Sequence, residues 1–272
     1  MRFSKSISQQ RITVAGCGDM GRPMAKALLC ADYLVKGFDV RPKEEFGDFA
    51  VHLMDRPEQI SGQTDVLISV VRDERQSLDL FFEDQAVFGY DIHPNCLIIS
   101  STLSPNFIHE VRARLPKDVA LIDAPMSGAV MAAEAASLTF MVGGDKEQKT
   151  AVHPLFEAMG ASIFDMGPLG TGMIAKVMNN YITAAAAVAT RQTLERAEQL
   201  GADKDKLLEV VHASSGQNWF ASNFGEIYWS TQNYDPANTM GILEKDVRSS
   251  LAPFGGPVSD LDKAILQHIK NL

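Results

Sequence analysis

Ile12-Thr-Val-Ala-Gly-Cys-Gly-Asp-Met-Gly-Arg22 is the stretch whose reading decides the fold. Ile12 to Ala15 is a short apolar run of the kind that forms a buried strand, and it stops at Gly16. Gly16, Gly18 and Gly21 stand in the G-x-G-x-x-G spacing. A helix is expected to open near Arg22, with Pro23 in its first turn, where a missing backbone donor costs nothing. In such a turn the first glycine permits the tight bend. The second lets a pyrophosphate reach the backbone, and the third lets helix and strand pack closely. Helix N-terminal amides then meet the phosphate charge. An ordinary tight turn satisfies the bare spacing too, so context decides.

That context is a second apolar strand over 33–39, ending at Asp39, 23 residues beyond Gly16 (39 − 16). A carboxylate there accepts hydrogen bonds from both ribose hydroxyls and repels a 2′-phosphate. Arg41, two residues on, would neutralise such a phosphate. The balance favours NAD over NADP. Coenzyme-binding candidates are therefore Gly16, Gly18, Asp19, Met20, Gly21, Asp39, Val40 and Arg41. Val70 and Val71, with Arg72, end a later strand and are expected on the adenosine side, although core packing explains them equally well.

Outward from this turn, short apolar runs alternate with amphipathic segments. Strands are expected over 65–71, 96–100, 119–122, 138–142 and 162–166. Helices are expected over 74–82, after Pro105, and over 145–159. Such alternation predicts a mostly parallel sheet with helices on both faces. The pattern changes near Gly172. Residues 173–201 form one long periodic stretch without internal Gly or Pro, as a long helix requires. Asp203 is placed to cap a following helix, and the remainder is helical. The predicted class is an α/β N-terminal domain, residues 1–168, joined by a long helix to an all-α C-terminal domain, residues 169–272.

Bulk properties narrow the functions open to such a chain. Its 272 residues are 46% hydrophobic and 22% charged, which excludes a disordered chain. A formal charge of −9 argues against a nucleic-acid or anionic-membrane partner. The run from Ala184 to Ala189 is too short to span a bilayer, and the first residues resemble no export signal. Cys17, Cys30 and Cys96 are far apart and show no metal-ligand spacing, so free thiols in a reducing compartment, the cytoplasm, are expected. The six histidines form no close pair, and no metal is expected.

Three further segments carry chemistry. Gly167, Gly170 and Gly172 form a second glycine-rich turn, followed by Lys176, Asn179 and Asn180. Lys176 and Asn180 are four apart and share one helix face; Asn179 is their neighbour. A lysine can give or receive the alcohol proton during hydride transfer, provided desolvation or nearby positive charge lowers its pKa. An isolated helix lysine is more often a solvated surface residue; the glycine turn and paired asparagines argue otherwise. Asp123-Ala-Pro-Met-Ser-Gly-Ala129 follows a strand, and Ser127 with the amides around Gly128 suits a substrate carboxylate, or simply closes the strand. Ser101-Thr-Leu-Ser-Pro105 ends another strand. That segment either caps the next helix or faces the nicotinamide ribose, and Ser101 and Thr102 are its coenzyme-binding candidates.

Taken in order, Gly16 to Ala25, Ser101 to Pro105, Asp123 to Gly128, Gly167 to Asn180 and Lys245-Asp246 resemble the β-hydroxyacid dehydrogenase family, which includes 3-hydroxyisobutyrate dehydrogenase. These motifs cover most of the chain. The resemblance implies an N-terminal Rossmann domain, a long interdomain helix and a helical C-terminal domain. It implies Lys176 as general acid/base, Ser127 and Gly128 on the substrate carboxylate, and Asn180 fixing the substrate. Lys245 would reach toward the coenzyme cleft, and the region of Trp219 would touch the substrate. A homodimer or homotetramer acting on a small hydroxy or keto acid is implied.

The chain departs from the family pattern in two places. Ala129, Ala132 and Ala136 stand where glycines are common, which stiffens that loop. The family's final helix is expected to be curtailed after Asp262. Two other functions stay open on the sequence: an imine or small aldehyde reductase, and a non-catalytic nucleotide-binding protein on the same scaffold. Trp219 and Phe220 read equally well as a core aromatic pair.

Overall fold

The computed structural model describes residues 6–272. Two compact units make up the chain, Met1–Lys176 and Val177–Leu272.

In the first unit the strands are β1 (Arg11–Ala15), β2 (Leu34–Phe38), β3 (Val66–Ser69), β4 (Cys96–Ile99), β5 (Ala120–Asp123), β6 (Met126–Ser127), β7 (Leu138–Gly143) and β8 (Gly160–Gly167). The helices between them are α1 (Gly21–Cys30), α2 (Glu58–Gln63), α3 (Glu74–Phe82), α4 (Pro105–Arg114), α5 (Ala129–Glu134) and α6 (Lys146–Met159). They build one eight-stranded sheet in the order β2-β1-β3-β4-β5-β7-β6, with β8 also paired to β7. From β2 to β5 all pairings are parallel; β7 runs antiparallel to β5 and β6 and parallel to β8.

Burial on both faces explains the unbroken apolar strands. Cys96 and Ile98 of β4 join a cluster with Met24, Leu28 and Phe156 of α1 and α6, while Leu97 and Ile99 join Leu80, Phe107 and Ile108 of α3 and α4. The period of two thus divides one strand between two cores. The helices begin at identifiable caps. Asp73, Ser104 and Asp145 accept amide hydrogens at the starts of α3, α4 and α6, each worth about 1 kcal/mol. Pro105 occupies the first helical position of α4, where it needs no donor.

A 29-residue helix, α7 (Thr171–Gln199), starts in the first unit and continues into the second. The second unit adds α8 (Lys204–Ala213), α9 (Trp219–Ser222), α10 (Thr239–Leu251) and α11 (Asp260–Lys270). Asp203 caps α8 through the amides of Asp205 and Lys206. Its core gathers Ala184, Ala187, Phe220, Trp229, Met240, Val247, Ile265 and Ile269. The expected curtailment after Asp262 is corrected. Ser259 and Asp262 form a capping box that starts α11, and Ile265, Leu266 and Ile269 bury its apolar stripe.

Candidate active site

Strand order reverses between β1 and β3, because β2 lies on one side of β1 and the chain then crosses over to place β3 on the other. Such a switch point opens a crevice at the carboxyl ends of the strands. Gly16 follows β1 there with φ +88°, and a Cβ on it would lie 2.8 Å from the carbonyl carbon and oxygen of Val70. Gly21 is tighter: its Cβ would stand 2.0 Å from the Gly16 carbonyl oxygen. By contrast, no heavy atom lies within 4 Å of the Cβ position at Gly18, so that face is open for a phosphate to approach the backbone.

Asp39 follows β2 directly, and its carboxylate accepts the Cys17 amide hydrogen at 2.8 Å. Arg41 pairs with Asp39 at 3.0 Å and stacks over Phe46 at 4.7 Å. Gly16, Asp39, Val40 and Val71 line a single cavity of about 370 Å³, together with Phe38 and Leu80. Asp19 and Met20 complete the turn leading into α1. The strand expected to include Val70, Val71 and Arg72 ends at Ser69; Val70 still donates its amide to Ala15 at 2.8 Å, then the left-handed Gly16 breaks the ladder.

Beyond β4, Ser101 is buried and its hydroxyl has no hydrogen-bond partner, while Ser104 of the same segment caps α4. An orphaned buried hydroxyl costs about 1–3 kcal/mol. Open backbone at Gly18, a cavity ending at Asp39 and a waiting hydroxyl at Ser101 fit a dinucleotide. Thr102 adjoins Ser101 and is half-buried.

Ser127 lies in β6, paired with Thr139, and Gly128 follows with φ +134°. Ala132 covers this turn: a Cβ at Gly128 would meet the Ala132 methyl at 2.4 Å. Ala129 and Ala136 hold φ values of 56° and 49°, left-handed conformations that favour glycine. The loop keeps a glycine backbone with alanine side chains.

Lys176 is only 7% exposed and sits just past the first turn of α7. That turn is held by Asp123 at the end of β5, whose carboxylate accepts the amide hydrogens of Gly170 at 2.8 Å and Met173 at 2.7 Å. Burial pushes the Asp123 carboxyl up to about 6, against the pull of those amides and of His109. Burial likewise pushes the Cys17 and Cys96 thiols up to about 12, which keeps both protonated.

In the second unit Asn180 donates its side-chain amide to Asp246 at 2.6 Å, and Lys245 pairs with the same carboxylate at 3.0 Å. Asp246 is 1% exposed. In the sequence this aspartate stands only as the neighbour of Lys245, with no signal of a role, because its link to Asn180 spans 66 residues. Asn179 is exposed and donates to the Asn180 side chain at 3.3 Å. The aromatic pair is split: Phe220 is buried against Phe224 and Trp229, whereas Trp219 is 57% exposed. Among the described residues, no group of three or more His, Cys, Asp or Glu is placed to hold a metal ion. No helix among them is long and apolar enough to cross a membrane.

Residues 11–167 match the NAD binding domain of 6-phosphogluconate dehydrogenase, and residues 170–254 the NAD-binding domain of NADP-dependent 3-hydroxyisobutyrate dehydrogenase. An NAD-dependent L-serine dehydrogenase of Pseudomonas aeruginosa is 35% identical over 77% of this chain and 72% of its own. Human mitochondrial 3-hydroxyisobutyrate dehydrogenase is 30% identical over 90% of this chain and 76% of its own. The solved structure of Mycobacterium tuberculosis 3-hydroxyisobutyrate dehydrogenase with L-serine superimposes with a TM-score of 0.82 at 27% identity, covering 96% of this chain and 93% of that one. The chain belongs to the β-hydroxyacid dehydrogenase family. It is a nicotinamide-dependent oxidoreductase, an enzyme built on a Rossmann unit and a helical unit, acting on small hydroxy acids.

Proposed function

We propose that this enzyme interconverts a short 3-hydroxy acid and its semialdehyde or keto acid, with L-serine and 3-hydroxyisobutyrate as the first substrates to try. The observation that carries the reading is the burial of Lys176, 7% exposed, in register with Asn180 on one helix. Removing an ammonium from water costs several kcal/mol even where partners offset it, which favours the neutral amine that proton transfer needs. The substrate carboxylate rests on Ser127 and Gly128. Asn180, held by Asp246 and flanked by Asn179, orients the hydroxyl-bearing carbon, and Trp219 bears on selectivity.

In the oxidative direction the Lys176 amine takes the hydroxyl proton as the C–H bond on the same carbon breaks and the carbonyl forms. Bound nicotinamide supplies the hydride acceptor. In reverse, the Lys176 ammonium returns the proton to the carbonyl oxygen. Gly16, Gly18, Asp19, Met20 and Gly21 carry the pyrophosphate, and Val40, Val70 and Val71 face the adenosine. Ser101 and Thr102 serve the nicotinamide ribose, and Lys245 completes the coenzyme contacts. In this division residues 1–168 hold the dinucleotide and 169–272 serve substrate and assembly.

NAD is the preferred coenzyme in this reading. Asp39 would accept hydrogen bonds from the ribose hydroxyls, and its pairing with Arg41 at 3.0 Å engages the group suited to a 2′-phosphate. A homodimer or homotetramer is supported by the exposed Met178 and Ile182, four apart on α7. Free thiols at Cys17, Cys30 and Cys96 favour a reducing compartment such as the cytoplasm.

The test is coenzyme reduction by purified protein with each hydroxy acid and each coenzyme. Turnover of carboxylate-bearing 3-hydroxy acids, with kcat/KM at least about tenfold higher for NAD, is expected. Turnover confined to substrates without a carboxylate would overturn the substrate assignment. A preference for NADP would overturn the coenzyme assignment.

A further inference from the structure

Asp123 is 0% exposed, and no step of the reaction described above uses it. Its carboxylate nevertheless makes two hydrogen bonds that tie the start of α7 to the sheet, to Gly170 and Met173. Lys176 follows Met173 by three residues, about 4.5 Å along the helix axis. We infer that Asp123 is the positioning residue for Lys176: it caps α7 from β5 and so sets where the lysine amine stands. The inference rests on the reading of Lys176 as the proton carrier.

The surroundings leave that turn little freedom. A Cβ at Gly172 would stand 2.2 Å from the Met141 carbonyl oxygen, so helix backbone lies directly on β7. A Cβ at Gly143 would stand 2.4 Å from the Asp123 carboxylate and 2.8 Å from the Gly172 nitrogen. The Leu103 amide donates to the Met173 sulfur at 3.3 Å, which links the same turn to the segment carrying Ser101 and Thr102. On the other side Lys149 of α6 donates to the Gly167 carbonyl at 2.8 Å and to the Asp165 carboxylate, and Asp165 accepts the Gly167 amide at 2.9 Å.

A carboxylate suits the task better than a neutral side chain. It offers an oxygen to each of two diverging amides at the positive end of a helix. Asparagine offers one oxygen and would turn its NH₂ toward the second amide. Burial works against the ionised form of Asp123, so this charge stands where it does at the expense of stability.

The experiment compares Asp123→Asn, Lys176→Ala and the double variant in the full-length enzyme. Asp123→Asn is expected to lower kcat about 10- to 100-fold, with KM and coenzyme Kd within about twofold, because misplacement of a reacting group by an ångström has that size of effect. In the Lys176→Ala background the same change is expected to cost nothing further. Unchanged kcat in Asp123→Asn beside a crippled Lys176→Ala overturns this inference alone. So does a loss of equal size in the lysine-free background, or a parallel fall in coenzyme affinity. Full turnover by Lys176→Ala overturns the reading beneath it, and the inference with it. Should Asp123→Asn fail to fold, Lys149→Gln loosens the other side of the turn. A smaller loss confined to kcat is expected there, and an unaltered kcat overturns the inference.

Discussion

Two glycine-type turns in the first unit solve the same backbone problem with different residues. The Gly16–Gly21 turn uses glycine wherever the chain is crowded; the loop from Gly128 to Ala136 uses alanine at two left-handed positions. At Gly21 the obstacle is another backbone atom, 2.0 Å from any Cβ, and nothing can give way. At Ala129 and Ala136 the obstacle is only the residue's own conformational strain, roughly 1–2 kcal/mol each. A close approach therefore excludes substitution, whereas a strained dihedral angle tolerates it when the surroundings hold the conformation. The Gly16–Gly21 turn is defined by its close backbone contacts, and the Gly128–Ala136 loop by what packs around it.

The sharpest way to break this comparison is Gly21→Ala. The methyl group must push the turn apart, and coenzyme Kd should rise about 100-fold or more, as measured by quenching of nicotinamide fluorescence. Near-normal affinity would mean that the turn is looser than its contacts imply.

The end of β5, one short strand before the alanine loop, makes stability depend on pH. Asp123 has an ordinary value of 3.8 and is raised to about 6 in the folded chain. Between those values the folded chain keeps a proton that the unfolded chain releases. Stability relative to Asp123→Asn should therefore fall as pH rises through that window, by on the order of 3 kcal/mol. Denaturant midpoints measured for both proteins across the window check the sign; parallel curves would contradict it.

A smaller effect is expected at Asp246. Replacing it with Asn keeps the shape but removes the charge that holds Asn180 and Lys245. A drop in kcat/KM of about tenfold is predicted from steady-state kinetics. Smallest of all, Ala129→Gly and Ala136→Gly should each stabilise the protein by about 0.5–1 kcal/mol, since relief of strain exceeds the added backbone entropy. A thermal scan showing destabilisation by both would mean that their methyl groups pack more favourably than their dihedral angles suggest.

Local patterns were the legible part of the sequence. The unbroken apolar strands announced a sheet buried on both faces. Asp203 announces its helix, and the patterns over 74–82 and 145–159 correspond to α3 and α6. Short irregular pieces were not legible. The 3₁₀ segment Lys43–His52 breaks at Gly47, and β6 and α5 are too brief to carry a period. The candidate residues of each motif could be named in the sequence, but their partners could not. Asp123 reaches Met173 across 50 residues, and Asn180 reaches Asp246 across 66. Both aspartates lie inside recognisable motifs, and only the folded chain shows their burial and their partners.

The most direct test of the account is Lys176→Ala, assayed on one preparation for turnover of a 3-hydroxy acid and for coenzyme affinity. Turnover lower by about 100-fold or more with coenzyme Kd within about twofold is the predicted result. Unchanged turnover would contradict the assignment of Lys176 as the proton carrier.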